Sequence, residues 1–310
     1  MSFREKFPVI SYYFGKKLQI LSTYFYRKNP VKWSIKSYKR RFGRELNLEN
    51  PELFYDKMNY WKHFKYSPAQ DDLTDKVKVK EVLEALGYES YVAKCYVASD
   101  NIKSIKAWFM KNHDKIKKFV FKTSHSCGDV FIYNDGIITK KGGRRIKNIN
   151  QVFKMLKIGL KFNHYYSRFE QNYKNLKHQI FVEEYIDIDN QAVEYELMCN
   201  YGEVKFSNIV LNRQDKKAKE IIFDSNFKFI DMNIGEFDQE AIDSIREPKD
   251  YQNIQTIIKK LCSEFPFCRV DFIQTKEKTY FCEFTFVKSG GMNFYKNYPL
   301  NEKLGQLFKL

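Results

Sequence analysis

The spacing of hydrophobic and polar residues predicts short strands and helices that follow one another along the chain. Apolar residues recur at helical spacing over residues 72–87, where Gly87 supplies the stop, and a second, capped helix is predicted over 99–116. Strands are predicted at 91–99 and 178–188, two β-rich arms at 117–140 with a turn at Asn134-Asp135-Gly136, helical segments at 147–178 and 250–265, and a hairpin at 193–212 that bends at Asn200-Tyr201-Gly202. This order predicts an α+β fold with mostly antiparallel sheets.

One predicted hairpin, residues 268–286, carries charged residues inside apolar strands. Alternate side chains of a strand point to opposite faces, and a register centred on Glu277 places Asp271 across from Glu283 and Arg269 across from Thr285. Like charges that face each other are unfavourable, so the two carboxylates need either solvent or a cation, and their oxygens suit Mg²⁺. An edge hairpin with a hydrated outer face is the alternative interpretation. The opposite, apolar face is predicted to contain Cys268, Val270, Phe272, Cys282, Phe284 and Phe286.

Composition limits the class of protein and of partner. A chain of 310 residues is long for one core, so two or three subdomains are expected. The net charge of +16 favours anionic partners, whether a nucleotide, an acidic glycan, a nucleic acid or a membrane surface. The six cysteines show no C-x-x-C spacing and suit a reducing cytoplasm. With no apolar run of about 20 residues and no signal-peptide pattern, we expect a protein that is neither secreted nor integral to a membrane.

Residues 1–45 form a segment of their own because aromatic residues are mixed there with Lys and Arg. Such a segment can lie on an anionic membrane surface, at the inner face of the membrane. It can also be a helix that packs on the domain by its aromatic side, which is the favoured interpretation.

Six fragments follow one another along the chain: RRFGRELNLENPELFYDKMNYWKHFKY, DKVKVKEVLEALG, FVFKTSHSCGDVFI, IFVEEYI, FPFCRVDF and YFCEFTF. In this order they resemble the TupA-like ATP-grasp family, which is associated with teichuronopeptide and capsular polysaccharide synthesis. The resemblance covers about residues 38–310 and implies an ATP-grasp fold, with a nucleotide between two mostly antiparallel β-sheets and a basic helical N-terminal extension. It divides the chain into an extension at 1–45, an N-terminal subdomain at 46–115, a small grasp subdomain at 116–185 and a C-terminal subdomain with the metal site at 186–310.

The resemblance implies ATP as cofactor and assigns residues to it. Lys122 matches the strand lysine that reaches the ATP phosphates, and Lys76 matches the lysine that precedes that subdomain. The loop from Ser124 to Gly128 would close over the phosphates with its backbone N–H groups, although it contains less glycine than the family's loop and so has less freedom to adopt positive φ. The implied nucleotide contacts are Lys76, Lys122, Ser124, His125, Ser126 and Gly128 around the phosphates, Glu183, Glu184, Tyr185 and Ile186 at adenine, and Glu194 or Glu196 at the ribose.

The charged hairpin receives the catalytic roles in the same way. Asp271 and Glu283 match the superfamily's Mg²⁺ ligands, and Thr285 stands where asparagine is more usual. Arg269 matches the arginine that stabilises charge developing on the transferred phosphoryl group. The loop of Ser289, Gly290 and Gly291 would approach the acceptor substrate.

The function implied is an ADP-forming carboxylate–amine ligase that acts through an acyl phosphate. Its substrates would be an amino acid or amine and a uronic-acid-bearing glycan or its precursor. A phosphotransferase on the same fold is one alternative, and an ATP-binding protein without turnover is another. The acidic tripeptide Asp187–Asp189 resembles the D-x-D motif of glycosyltransferases, and the basic charge alone would suit a nucleic-acid-binding protein, although nucleic acid is not the expected partner.

Overall fold

The computed structural model describes residues 6–188, 192–211, 219–230, 239–292 and 298–310. The chain divides into two compact units, the first formed by Met1–Pro30 with Pro68–Ile186 and the second by Val31–Ser67 with Asp187–Leu310. The four segments predicted from the sequence divide the chain differently and stay a prediction.

Both helices and strands occur along the chain, as the sequence pattern predicts. The helices are α1 (Pro8–Leu21), α2 (Pro30–Phe42), α3 (Phe54–Phe64), α4 (Ala69–Thr74), α5 (Lys78–Ala85), α6 (Ile102–Asn112), α7 (Ile149–Gly159), α8 (Tyr165–Arg168), α9 (Gln239–Ser244), α10 (Tyr251–Cys262) and α11 (Tyr298–Gln306). The strands are β1 (Cys95–Ser99), β2 (Lys118–Thr123), β3 (Val130–Asn134), β4 (Ile137–Lys140), β5 (Arg144–Ile146), β6 (Ile180–Glu184), β7 (Val193–Asn200), β8 (Glu203–Leu211), β9 (Lys219–Asp224), β10 (Cys268–Gln274) and β11 (Thr279–Thr285). Among these described helices, none has both the length and the apolar character required to cross a lipid bilayer.

The first unit is built on a sheet with the strand order β1-β6-β2-β3-β4-β5, in which the neighbours pair antiparallel. Phe119 and Phe121 of β2 lie on one face with Val182 of β6, and this face packs against α6 and α7 in a buried aromatic and aliphatic core. The opposite face therefore carries the alternate residues of the same strands, among them Lys122 and Glu183. In residues 119–122 (FVFK), the alternation of side chains therefore places the two phenylalanines on the core face and Lys122 on the charged face.

The predicted helix at 72–87 is two helices, α4 and α5. Asp75 separates them because its Oδ1 accepts hydrogen bonds from the backbone N–H groups of Val77 and Lys78, at 2.8 and 3.1 Å. A side chain that caps the next helix in this way competes with continuation of the preceding one. Gly87, with φ of +81°, ends α5 as predicted.

The second unit is built on a sheet with the strand order β11-β10-β7-β8-β9, also antiparallel. The amphipathic helix α10 turns Ile254, Ile257 and Ile258 inward and contacts β7 and β8. On the other face, Phe54 of α3 meets Phe206 of β8 with 5.8 Å between ring centroids. The bend between β7 and β8 lies at Tyr201 and Gly202, which both have positive φ, as the Asn-Tyr-Gly sequence predicts.

The charged hairpin forms in the predicted register, with Asp271 opposite Glu283 and Arg269 opposite Thr285. A β-bulge then shifts the pairing, so that Phe272 lies opposite Phe281. Cys282 is the extra residue at the bulge and is only half-buried, so its prediction as part of the apolar face was wrong. The sequence pattern alone does not reveal a bulge, because apolar and polar residues still alternate on both sides of the extra residue.

Candidate functional site

A row of polar side chains crosses four strands of the second unit. Asn208, Glu196, Asp271 and Glu283 are successive partners across β8, β7, β10 and β11. Paired residues share a face, so the three carboxylates of this row lie on one side of the sheet. Glu196 and Asp271 are buried, whereas the Glu283 side chain is one-third exposed.

Arg269 lies beside this acidic row, on the same face, and joins its carboxylates. Its Nε donates to Asp271 Oδ1 at 2.7 Å, and its Nη2 donates to the other oxygen of Asp271 and to Glu283 Oε1, the latter at 3.3 Å. Its Nη1 also lies 3.7 Å from Glu196 Oε1. The planar guanidinium thus contacts three carboxylates at once, which the ammonium group of a lysine could not do in this geometry.

A second cation completes the cluster from beyond β11. Lys288 is buried, and its Nζ donates to Glu196 Oε2 at 3.2 Å, the same oxygen that accepts from Asn208 Nδ2 at 2.9 Å. Three carboxylates thus face two cations. Burial, together with the neighbouring carboxylates of Glu196 and Glu283, raises the pKa of Asp271 to about 7 against the lowering effect of Arg269. The cluster therefore favours uptake of one more positive charge.

The chemistry of this donor set fits a magnesium ion that carries phosphates. No group of three or more His, Cys, Asp and Glu side chains suited to a metal ion occurs within the described residues. Mg²⁺ nevertheless usually binds proteins through only one or two carboxylates and completes its shell with water and substrate phosphates. Asp271 and Glu283 supply such a pair, while Thr285 lies across from Arg269 on the same face. Their assignment as metal ligands stays a prediction.

The loop predicted to meet the acceptor substrate follows β11 and is held by α3. Ser289, Gly290 and Gly291 all have positive φ, between 52° and 73°. Lys62 Nζ donates to Gly290 O at 3.0 Å and Asn59 Nδ2 donates to Gly291 O at 2.9 Å. A Cβ at Gly291 would lie 2.8 Å from the Asn59 amide, so this position requires glycine. Two hydrogen bonds from α3 hold the loop, and its contact with a substrate stays a prediction.

The first unit has a charged cluster of its own. Glu183 is buried on the face of the sheet opposite the core and forms ion pairs with Lys122 of β2 and, at 3.0 Å, with Lys80 of α5. Burial raises the pKa of Glu183, but the two lysines outweigh it and hold the pKa below its ordinary value. The buried carboxylate therefore stays ionised and fixes the Lys122 ammonium at a defined place on the sheet.

The four residues predicted at adenine leave β6 in alternating directions. Glu183 points to the lysine cluster, whereas Glu184 Oε2 accepts from the backbone N–H of Lys94 at 3.2 Å. The aromatic ring of Tyr185 lies beneath Lys118, with 4.0 Å from Nζ to the ring centroid. Ile186 is the last residue of the first unit. The adenine contacts stay a prediction.

The predicted phosphate loop, Ser124–Gly128, follows β2 and is well anchored. Lys76 lies in the turn before α5, where its Nζ donates to Ser126 O at 3.2 Å, so two residues predicted at the phosphates are in contact. Gly128 has φ of +83° and open space around its Cβ position. The Ser124 hydroxyl donates to Lys177 O at 2.9 Å, and the Ser126 hydroxyl donates to Asp129 at 2.6 Å.

His125 lies in the same loop, but its side chain points into the protein. The imidazole is fully buried and stacks on His178 with 3.8 Å between ring centroids. In this structure only its backbone is available to a phosphate, and the predicted role stays a prediction.

Two functional candidates, Lys80 and Lys288, are visible only in three dimensions. Lys76, Lys78 and Lys80 alternate in one sequence run, and nothing in that run shows that Lys80 alone is buried against Glu183. Lys288 follows the charged hairpin in sequence, and only the fold of the loop after β11 shows that its ammonium group reaches Glu196. The D-x-D tripeptide ends at Asp189, which lies outside the described residues.

Comparison with known protein families gives a match that covers most of the chain. The family model described as TupA-like ATPgrasp matches residues 56–309. This confirms the predicted resemblance and the ATP-grasp fold, and it confirms that the protein is an enzyme of the ATP-grasp ligase class. A search of curated proteins found no match.

Solved structures similar to the chain include two described as ligases and the protein Cdc123. The ATP-grasp ligase PsnB in complex with a minimal precursor is 10% identical, over 82% of this chain and 68% of that one, with a TM-score of 0.36. D-Alanine-D-alanine ligase from Helicobacter pylori is 14% identical, over 76% and 61%, with a TM-score of 0.38. Cdc123 from Schizosaccharomyces pombe is 13% identical, over 71% and 85%, with a TM-score of 0.38. The chain spans about two thirds of the length of the two ligases.

Proposed function

Because the chain belongs to the TupA-like ATP-grasp family, we propose that it is an ADP-forming carboxylate–amine ligase that uses ATP and Mg²⁺. We propose further that it joins an amino acid to a uronic-acid-bearing surface polysaccharide or to a precursor of that polysaccharide. The observation that carries this proposal is the row of Glu196, Asp271 and Glu283 around Arg269, in which carboxylates and a guanidinium share one face of a sheet.

The first step is phosphoryl transfer. A carboxylate oxygen of the acceptor attacks the γ-phosphorus of ATP, the bond to the β,γ-bridging oxygen breaks, and ADP leaves. Two anions must approach each other, so fixed positive charge lowers the barrier. Arg269 supports this role because its guanidinium is held flat by Asp271, and Lys122 because Glu183 fixes its ammonium. When bound, the magnesium ion supplies further positive charge to the phosphates.

The second step is attack by an amine. The amine nitrogen adds to the acyl carbon, phosphate leaves, and the nitrogen loses a proton as the amide forms. The loop of Ser289, Gly290 and Gly291 follows β11 directly, and its exposed residue, Ser289, supports an acceptor site next to the charged hairpin.

An acidic glycan as acceptor agrees with the charge of the chain. A net charge of +16 raises the local concentration of a polyanionic substrate at moderate salt. A reaction that consumes ATP also implies a compartment that supplies it, in agreement with the cytoplasmic location expected from the cysteines.

The test is a product screen with the intact chain and Mg-ATP. ADP release is measured with each amino acid, with uronic-acid oligosaccharides and with both together. The masses of the products are determined by mass spectrometry. The proposal predicts ADP release that requires an acceptor carboxylate, an amide product that is heavier by the amino acid less water, and a hydroxamate when hydroxylamine replaces the amine. A stable phosphate ester with no hydroxamate would instead identify a phosphotransferase and overturn the proposal.

A further inference from the structure

The N-terminal helix α1 buries its polar side and exposes its apolar side. The residues that it buries, apart from Pro8, are polar at one end: Tyr12 and Lys16 face the first unit, and Thr23 is buried just beyond the helix. The outward face is apolar and continuous, at helical spacing over residues 7–25. Its members, with exposed fractions from 42% to 86%, are Phe7, Ile10, Phe14, Leu18, Leu21 and Phe25, which we call the apolar stripe.

This orientation is fixed by buried ionic contacts. Lys16 Nζ donates a hydrogen bond to Asp129 Oδ2 at 2.8 Å, and the Tyr12 hydroxyl donates to Asp129 Oδ1 at 2.7 Å. Burial raises the pKa of Asp129, but Lys16 outweighs it and holds the pKa below its ordinary value. If α1 rolled over to hide the apolar stripe, a buried carboxylate would lose its cation, which is strongly unfavourable. The helix therefore exposes the stripe at the expense of apolar burial.

The surroundings of the apolar stripe are cationic. Residues 6–30, which belong to the first unit, contain five Lys and Arg residues and no Asp or Glu. Of these cations, Lys6, Lys17, Arg27 and Lys28 are exposed along or at the ends of the stripe. Aromatic rings accompany them, since Lys17 lies 5.2 Å from the ring centroid of Tyr13 and Arg27 lies 4.9 Å from that of Tyr24. Bulky apolar groups with flanking cations and aromatic rings are the composition of segments that lie in a membrane interface.

We propose that the apolar stripe and its four flanking cations form a docking surface for an anionic lipid bilayer. The side chains of Phe14, Leu18 and Leu21 enter the boundary between headgroups and acyl chains, while Lys17, Arg27 and Lys28 meet the lipid phosphates. The polar face that such a helix normally turns to water is here covered by the first unit. A second copy of this chain fits the surface less well, because two stripes packed together would bring their cations into opposition. This inference is independent of the proposed function.

The experiment is co-sedimentation of the full chain with vesicles of phosphatidylcholine alone, or with about one third phosphatidylglycerol, at moderate and high salt. The wild-type chain is expected to sediment with the anionic vesicles and not with the neutral ones, and to be released by salt. The stripe variant Phe14→Ser/Leu18→Ser/Leu21→Ser is expected to lose at least tenfold in partition. Its matched control is Met110→Ser/Ile137→Ser, which removes exposed apolar groups of the same unit elsewhere.

A charge variant tests the second half of the surface. Lys17→Gln/Arg27→Gln/Lys28→Gln is expected to weaken partition on the order of a hundredfold, from about 1 kcal/mol for each basic residue near an anionic surface. Lys103→Gln/Lys111→Gln/Lys115→Gln removes three exposed cations of the same unit and is expected to bind nearly as wild type. All substituted positions are exposed, so unchanged thermal unfolding shows that each variant folds.

Three results would overturn the proposal. The first is a wild-type chain that does not sediment with anionic vesicles, or that sediments equally with neutral ones. The second is an equal loss in the stripe variant and its control. The third is a concentration-dependent dimer that the stripe variant abolishes while lipid binding is absent, which would assign the surface to a second copy of the chain.

Discussion

Arg269 and Asp271, two residues apart on β10, form a double hydrogen bond that lays the guanidinium flat along the carboxylate, with 2.7 Å between Nε and Oδ1. The same guanidinium reaches Glu283 on β11, so its position is set by both strands. The arginine is thus preorganised before any substrate arrives. A lysine at this position would keep the charge and lose the fixed geometry.

We therefore expect Arg269→Lys to lower the rate of ADP formation by roughly 10²–10³-fold, because stabilisation of developing charge depends on placed donors. The apparent KM for ATP should change much less. Steady-state kinetics measures both values. Arg40→Lys, the same substitution at an exposed residue of α2, is the control and should leave the rate unchanged. Equal effects on the two variants would refute the role of Arg269.

The ion pairs of Glu183 make a stability prediction. Lys80→Met leaves the buried carboxylate with Lys122 alone and should lower the free energy of unfolding by about 2–3 kcal/mol. Lys78→Met, at an exposed neighbour, should change it by less than about 0.5 kcal/mol. Urea unfolding measures both. In Lys80→Met/Glu183→Gln the loss should be smaller than the sum of the single losses, and simple additivity would show that the two groups do not interact.

Gly305 tests packing between α11 and the residues before α3. A Cβ at Gly305 would lie 2.1 Å from the carbonyl oxygen of Glu52, which is backbone and has little room to move. Gly305→Ala should therefore cost about 1–3 kcal/mol or more in stability. Gly15→Ala is the matched control, because its Cβ would meet nothing within 4 Å and alanine favours the helix. A thermal scan in which both variants unfold like wild type would contradict this packing.

His125 predicts part of the acid sensitivity of the fold. Burial, helped by the adjacent His178, lowers the pKa of His125 to about 3, compared with about 6.5 in an unfolded chain. A group whose folded pKa is depressed stabilises the fold above its unfolded pKa, and this contribution is lost as the pH falls from about 6.5 towards 3. The loss is about 1.4 kcal/mol per pH unit.

The measurement is the free energy of unfolding in urea at several pH values between 6.5 and 4, for wild type and His125→Gln. The variant should show a shallower decline by about that slope, whatever its stability at pH 7. Parallel curves for the two proteins would mean that His125 is protonated equally well in the folded chain.

Much of the fold was predictable because local patterns determine it. The register of β10 and β11 follows from the alternation around Asp271 and Glu283 with a short polar turn between them, and the bend at Tyr201 and Gly202 follows from turn chemistry. The bulge at Cys282 was not predictable, because one inserted residue leaves the apolar alternation locally intact. Asp75 as a helix boundary was available from the sequence as a capping residue, but the apolar residues at helical spacing over 72–87 suggested a single helix.

The site was predictable only where it lies within one hairpin. The contact of Arg269 with Asp271 follows from period-2 spacing, whereas Glu196 and Lys288 reach it from other parts of the chain. The outward apolar face of α1 was also outside the reach of pattern analysis. Hydrophobic periodicity identifies two faces of a helix and predicts that the apolar one is buried, but the buried Lys16–Asp129 pair reverses the choice.

The most direct test of the ligase assignment is ADP release from Mg-ATP in the presence of an amino acid and a uronic-acid acceptor. It compares wild type, Asp271→Asn and Lys122→Ala with the control Glu277→Gln, in the exposed turn of the hairpin. We predict that wild type and the control release ADP at the same acceptor-dependent rate, and that both site variants lose at least a hundredfold, on the order expected for removal of transition-state stabilisation. Release at the wild-type rate by either site variant would contradict the assignment of that residue, and release by both would contradict the account as a whole.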